Sequence, residues 1–331
     1  MKGSLYLASS LLLSLALAGK VKVAKNTTDD LYFENQDRDG TIGYSFSLFQ
    51  NVLSVELNAT QNCESCGGKP ASMIIMPELL LEYNNATSAN STTNVFGFLD
   101  KSNANKDWGN GLSASKLQGK AINGSEKVDV WKVEAAWKNP EGKKPEFGAH
   151  MYFAAAPAEY QNMTLNAHSI LVQYSILNFP FNMTDSSIGF EQLVLTNSAA
   201  ANLTVANITN VEADESITYL HINTTALVDG AAQNITIGSL NNTAATLSIE
   251  AGNSTRLNLT DYEINAIFLG FNNSFDAKNV TFNQRLVLNM TEFKEKRAAH
   301  AYNAATTVSP GWFTLGMLLS SLAILVPAVL L

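Results

Sequence analysis

Charge is what this sequence has least of. Asp, Glu, Lys and Arg make up 15% of its 331 residues, where an ordinary soluble chain carries about 25%. The 21 basic side chains are outnumbered by 29 acidic ones, for a net charge of −8. Displacing counterions from phosphate takes clustered Lys and Arg, so no nucleic-acid partner is expected. Cysteine is equally scarce. Cys63 and Cys66 are the only two, too few for a disulfide-dense scaffold or a Cys-only zinc site. The four histidines, His150, His168, His221 and His300, form no pair at i,i+2 or i,i+4 and have no acidic partner at ligand spacing. Neither a metal nor a cofactor is therefore expected. Gly-x-Ser-x-Gly, Walker and Gly-x-Gly-x-x-Gly signatures are missing, so no catalytic residue is assigned and an enzyme is not expected. A long helical stripe is missing too. Apolar residues are not scarce, at 46%, and with so little net charge per residue the chain should fold.

Asparagine is in excess, with 35 residues. Seventeen of them open an Asn-x-Ser/Thr acceptor for N-glycosylation: Asn26, Asn58, Asn85, Asn90, Asn123, Asn162, Asn182, Asn202, Asn207, Asn223, Asn234, Asn241, Asn253, Asn258, Asn272, Asn279 and Asn289. Composition alone gives roughly 6 chance matches, so the excess is about threefold. All but two of the 17 end in Thr, the exceptions being Ser125 and Ser274. The density points to a glycan-coated surface. Eight acceptors, at Asn162, Asn182, Asn202, Asn207, Asn234, Asn258, Asn279 and Asn289, carry Met, Leu, Ile or Val in the middle. In a strand, i and i+2 share a face and i+1 points the other way. Asn and Thr would then meet solvent while the central residue meets the core.

The two ends read as targeting segments. Residues 1–18 hold Lys2, an apolar run from Leu5 and the small-x-small triplet Ala16-Leu17-Ala18, the order of a cleaved secretory signal. Trp312 to Leu331 carry no charge, and about 20 helical residues match the bilayer core. No Lys or Arg follows to fix a transmembrane orientation. Small residues at Asn303-Ala304-Ala305, a spacer and an apolar tail resemble a glycolipid (GPI) attachment signal. Asn303 is the expected attachment residue, with Ala304 second, and 304–331 the expected propeptide.

Between these ends the pattern alternates. Ile42, Tyr44, Phe46 and Leu48 form one face; so do Leu53, Val55 and Leu57; Trp131, Val133, Ala135 and Trp137; and Ile170, Val172, Tyr174 and Ile176. Further strands are expected at 187–196, 215–222, 244–250, 262–270 and 280–289. Period-two runs separated by Asn, Asp, Gly and Ser predict an all-β fold, an antiparallel β-sandwich or β-prism ectodomain. It would be one large domain or two tandem ones. In the tandem reading, 19–197 is an N-terminal β region with polar loops and 198–292 a glycan-dense C-terminal one, followed by a stalk at 293–303. Residues 85–126 read mostly as long loops.

Few groups suggest chemistry. Cys63-Glu64-Ser65-Cys66 predicts a disulfide shaping a small turn in the oxidising secretory lumen. The competing reading is a thiol–disulfide exchange centre, which needs a helix after the motif. Asp129 with Glu134, or the cluster Glu212, Asp214 and Glu215, could serve a two-carboxylate glycosidase. Trp131 and Trp137 share parity and should be core, whereas Trp108 in a polar stretch is the candidate for an exposed sugar contact. Lys294-Glu295-Lys296-Arg297 resembles a basic processing site.

The expectation is a GPI-anchored, N-glycosylated, non-catalytic protein of the outer plasma-membrane face. It would touch a membrane through its lipid anchor and serve adhesion, recognition or protection, with a protein or carbohydrate ligand on another surface. The sequon-free stretches 101–120 and 139–147 are the expected contact loops. The alternatives are an endolysosomal or secretory-pathway membrane glycoprotein with a retained tail helix, and a secretory-pathway enzyme. The general layout resembles lysosome-associated membrane glycoproteins, which are β-rich and glycan-clad. Their paired cysteines and cytosolic Tyr-based tail have no counterpart here.

Overall fold

The computed structural model describes residues 20–37, 40–49, 52–63, 69–84, 93–98, 108–109, 111–122, 124–138, 145–196, 206–207, 218–240 and 262–288. These belong to a compact unit ending at Asn289; a second unit, from Met290, lies outside them. The described residues form strands and turns and contain no helix, so none is long and apolar enough to cross a membrane.

Nineteen strands follow in order: β1 (Lys20–Asn26), β2 (Asp30–Asp37), β3 (Gly40–Phe49), β4 (Val52–Cys63), β5 (Lys69–Asn84), β6 (Thr93–Gly97), β7 (Ser113–Ala121), β8 (Lys127–Trp137), β9 (Glu146–Ala154), β10 (Ala158–Tyr160), β11 (Met163–Leu165), β12 (Ser169–Leu177), β13 (Ser186–Thr196), β14 (Ala206–Asn207), β15 (Thr218–Ile222), β16 (Thr225–Val228), β17 (Ala231–Leu240), β18 (Glu263–Phe271) and β19 (Asn279–Leu288). Their pairing is antiparallel, apart from the two-residue contact of β14 with β15. One wing runs β1-β2-β3-β4-β5-β13-β18-β17, with β6 also on β5. The other runs β11-β10-β7-β8-β9-β12-β19, with β15 and β16 sharing the far edge of β19. Strand β17 joins the wings: Ala231–Asn234 pair with β16, and Ile235–Leu240 pair with β18. The result is one open sheet that turns at β17. Strands from both sides of residue 198 interleave in it, since β13 pairs with β18 and β12 with β19.

Aromatic side chains join the inner faces of the wings. Phe33 meets Trp131 and Phe153, each at 5.0 Å, and Tyr44 stacks on Phe153 at 4.4 Å. Further along, Phe190 meets Phe147 at 5.7 Å and Phe282 at 5.3 Å. Offset and edge-on ring contacts of this kind add about 0.5–1.5 kcal/mol each beyond area burial. Buried Asn35 on β2 donates its amide to the carbonyl of Ala155 at 3.2 Å, a polar cross-link between the wings.

Alternation explains most strands. In β19, Asn279 is exposed, Val280 buried, Thr281 half-buried and Phe282 buried. In β17, Asn234 and Thr236 are exposed around buried Ile235. The acceptor parity expected from the sequence is present in both. Strands β5 and β13 depart from it. Every residue of β13 is buried, because apolar side chains such as Ile74, Met76, Leu193 and Leu195 are buried on the outer face as well.

Two expectations are corrected. Residues 113–121 form β7 rather than a loop: Ser, Lys, Gln and Gly give no apolar alternation, yet the backbone pairs with β8 and β10 while most side chains stay wet. The Asn182-Met183-Thr184 acceptor lies in the loop before β13, not in a strand. The expected strand 244–250 lies outside the described residues.

Candidate functional site

Backbone turns and strand parity set out the acceptor asparagines. Eight have described side chains: Asn26, Asn162, Asn182, Asn223, Asn234 and Asn279 are exposed, Asn58 and Asn272 are half-buried, and none is buried. Gln161 and Asn162 both have positive φ (46° and 63°), as a two-residue hairpin turn between antiparallel strands requires. Asn162 therefore stands at the tip of the β10–β11 hairpin. In the Asn223 acceptor, the hydroxyl of Thr225 donates to Asn223 Oδ1 at 3.0 Å, so the amide oxygen is already engaged.

Two acceptors are committed elsewhere. Asn58 donates to Glu56 Oε1 at 3.2 Å, and its Oδ1 lies over Gly43, where a Cβ would come within 2.2 Å. In the Asn272 acceptor, Ser274 is fully buried; its hydroxyl donates to the Phe271 carbonyl at 2.6 Å and accepts the Ile188 N–H at 2.7 Å. Asn207 is described only in its backbone. Asn85, Asn90, Asn123, Asn202, Asn241, Asn253, Asn258 and Asn289 lie outside the described residues, as do residues 1–18 of the expected leader, Cys66, the cluster Glu212, Asp214 and Glu215, Lys294–Arg297, and Asn303 with Ala304.

The outer face of the second wing gathers polar and aromatic side chains in cross-strand rows. Glu134, His150, Gln173 and Asn283 stand side by side on β8, β9, β12 and β19. The next row holds Lys132, Tyr152, Leu171 and Arg285, continued by His221 on β15. Lys132 Nζ lies 2.5 Å from Glu134 Oε1, which is 3.3 Å from His150 Nε2. Lys132 also sits 5.9 Å from the centre of the Tyr152 ring, and Tyr152 lies 6.2 Å from Tyr160. Partial burial pushes His150 below its ordinary pKa, Lys132 adds to the shift, and Glu134 opposes it. The arrangement offers donors and acceptors on a half-buried face, with the Tyr152 ring itself buried among them.

The residues singled out for chemistry do not converge. Asp129 and Glu134 stand five apart on a strand of unbroken register, hence on opposite faces. Each is committed: Asp129 to Lys116 at 2.7 Å, whose ammonium holds it below the usual carboxylate range, and Glu134 to Lys132. Trp108 is buried against Phe98 and Phe147, contrary to its expected exposure; its polar neighbours in sequence hid that contact. Trp131 and Trp137 pack inward, on Phe33 and Phe98. Cys63 ends β4, and the next described element, β5, is a strand rather than a helix. Among the described residues no three His, Cys, Asp or Glu form a metal cluster.

Acids inside the sheet were not anticipated. Glu82 is fully buried and accepts the N–H groups of Asn182 at 2.9 Å and Met183 at 2.8 Å and the Ser186 hydroxyl at 2.6 Å. It anchors the loop before β13. Glu78 and Glu191, also buried, lie on neighbouring strands. Pro77 has no N–H for a ladder, and the register of β5 on β13 slips beside it; this is where sheets tolerate proline. The bulge brings Glu78 close to Glu191. The available signal was an acid inside an apolar run, in Met76-Pro77-Glu78-Leu79 and Phe190-Glu191-Gln192-Leu193.

No protein-family model matches this chain, and no curated protein matches it.

Proposed function

We propose that this chain is a GPI-anchored, N-glycosylated, non-catalytic surface glycoprotein whose two wings pack as a β-sandwich. The observation that carries this reading is the placement of the acceptor asparagines, none of which is buried among the eight with described side chains. Glycans on them would solvate a surface poor in charge and exclude partners from the regions they cover. Expression in a secretory host tests the coat: peptide-N-glycosidase should lower the mass by many glycan units. The anchor is tested on intact cells, where a phosphatidylinositol-specific phospholipase should release the protein. No mass change sinks the coat. No release, with the apolar tail still found by mass spectrometry, sinks the anchor and favours a retained helix.

Recognition is assigned to the outer face around His150, Tyr152, Gln173 and Arg285. Its mixture of imidazole, guanidinium and amide groups suits a protein or carbohydrate partner. Gln173→Asn completes an Asn-x-Ser acceptor with Ser175 in the centre of that face. A glycan there should abolish cell or ligand binding while leaving thermal unfolding within a few degrees of wild type. Binding that survives confirmed glycosylation at that position would place the contact elsewhere, for instance in the sequon-free stretches 101–120 or 139–147.

A further inference from the structure

Glu78 and Glu191 share the outer face of the first wing with Ile74, Met76, Leu193 and Leu195. They are 5% and 8% exposed. Among the described residues no neighbouring element brings them a cation. Between Met73 and Tyr83, β5 carries no base; its other acid, Glu82, faces the interior and is consumed by the loop. Tyr83 lies further along, its hydroxyl pushed up by burial. The only ionisable residue of β13 is Glu191, and β6 has none. Strand β18 sets Phe268 opposite Glu191. The acid of β4, Glu56, is bound to Ser72 and Asn58. Two ionised carboxylates in such a place repel each other and lose water without compensation.

We propose that Glu78 and Glu191 form a proton-binding site, and that the folded unit is therefore more stable in acidic than in neutral surroundings. On acidification the pair takes one proton from solvent and becomes a carboxylic acid beside a carboxylate; on neutralisation it returns that proton. Burial, and then the neighbouring Glu191, push the Glu78 carboxyl up to about 7, and burial raises Glu191 as well. An unfolded Glu titrates near ~4.3. A pKa raised on folding gives stability that is complete below the unfolded value and is lost as pH rises through the folded one. The window of loss thus runs from about 4.3 to somewhat above 7, opposite in direction to ordinary acid denaturation. His150 contributes with the other sign, since its pKa is depressed.

The test uses the full-length glycosylated protein at fixed ionic strength. Thermal unfolding of wild type should move down by several degrees between about pH 5 and pH 8. Glu78→Gln should lose most of that slope and unfold higher than wild type at the alkaline end. A wild-type Tm that is flat or rises over the range, or a slope unchanged in Glu78→Gln, overturns the site. Should the variant fail to fold, infrared difference spectra of wild type remain decisive. A protonated-carboxyl band that grows on acidification with a midpoint near 7 supports the site, and no such band titrating above about pH 6 refutes it. The site does not depend on how the chain is held at a membrane, so its failure leaves the glycoprotein reading untouched.

Discussion

Single side chains settle where this fold is vulnerable. Glu82 satisfies two loop N–H groups and a hydroxyl from inside the sheet. Glu82→Ala strands these donors, each worth about 1–3 kcal/mol when buried, and should lower stability by about 3 kcal/mol in urea titrations. Glu82→Gln, which keeps the shape, should lose less. Ser274→Ala is a sharper case, because that hydroxyl belongs to a glycan acceptor and to the core together. It should remove any glycan on Asn272 and also destabilise the protein by about 1–3 kcal/mol. A loss of glycan with unchanged stability would show the hydroxyl to be dispensable to the fold. The sequence marked Asn272 as one acceptor among seventeen. It could not mark Ser274 as interior, because the polar triplet gives no sign of the Ile188 N–H supplied from β13.

At the scale of elements, much was legible. The expected strand at 187–196 is β13, and those at 262–270 and 280–289 are β18 and β19 to within a residue or so. Alternation predicts strands well where one face is wet, as in β8, β12 and β19. It was silent on β7, a polar strand held by its ladder, and on the burial of both faces of β5 and β13, which depends on what is brought over them. Turns give a direct comparison. Gly230 has φ +83° and nothing within 4 Å of an added Cβ, whereas Gly111 has φ +78° and would put that Cβ 2.4 Å from the Thr28 carbonyl oxygen. Gly230→Ala should therefore cost only the left-handed strain, about 1–2 kcal/mol. Gly111→Ala should cost clearly more, since backbone must move. Equal losses of urea midpoint in the two variants would contradict this account.

For the whole molecule, the scarcity of charge and the excess of asparagine become one question. Without the expected leader and tail the chain keeps 20 basic and 29 acidic side chains, since Lys2 is the only charge in those segments. If glycans supply the missing hydration, enzymatic deglycosylation of the native protein should leave the fold intact by circular dichroism but lower the concentration at which light scattering reports association. Unchanged solubility would detach the asparagines from that role. The face proposed for recognition was not legible in the sequence, because its rows join residues from five strands. Lys132 and His221 fall in one row only through the registers of β8, β9, β12, β19 and β15.

Strand β19 has a mechanical meaning as well. It is the last described strand, and it is flanked on one edge by β12 along its length and on the other by β15 and β16. Tension applied to the chain beyond Leu288 enters there rather than at a free edge. Neighbours on both edges share the load before β19 can slide, and β16 hands part of it through β17 to the other wing.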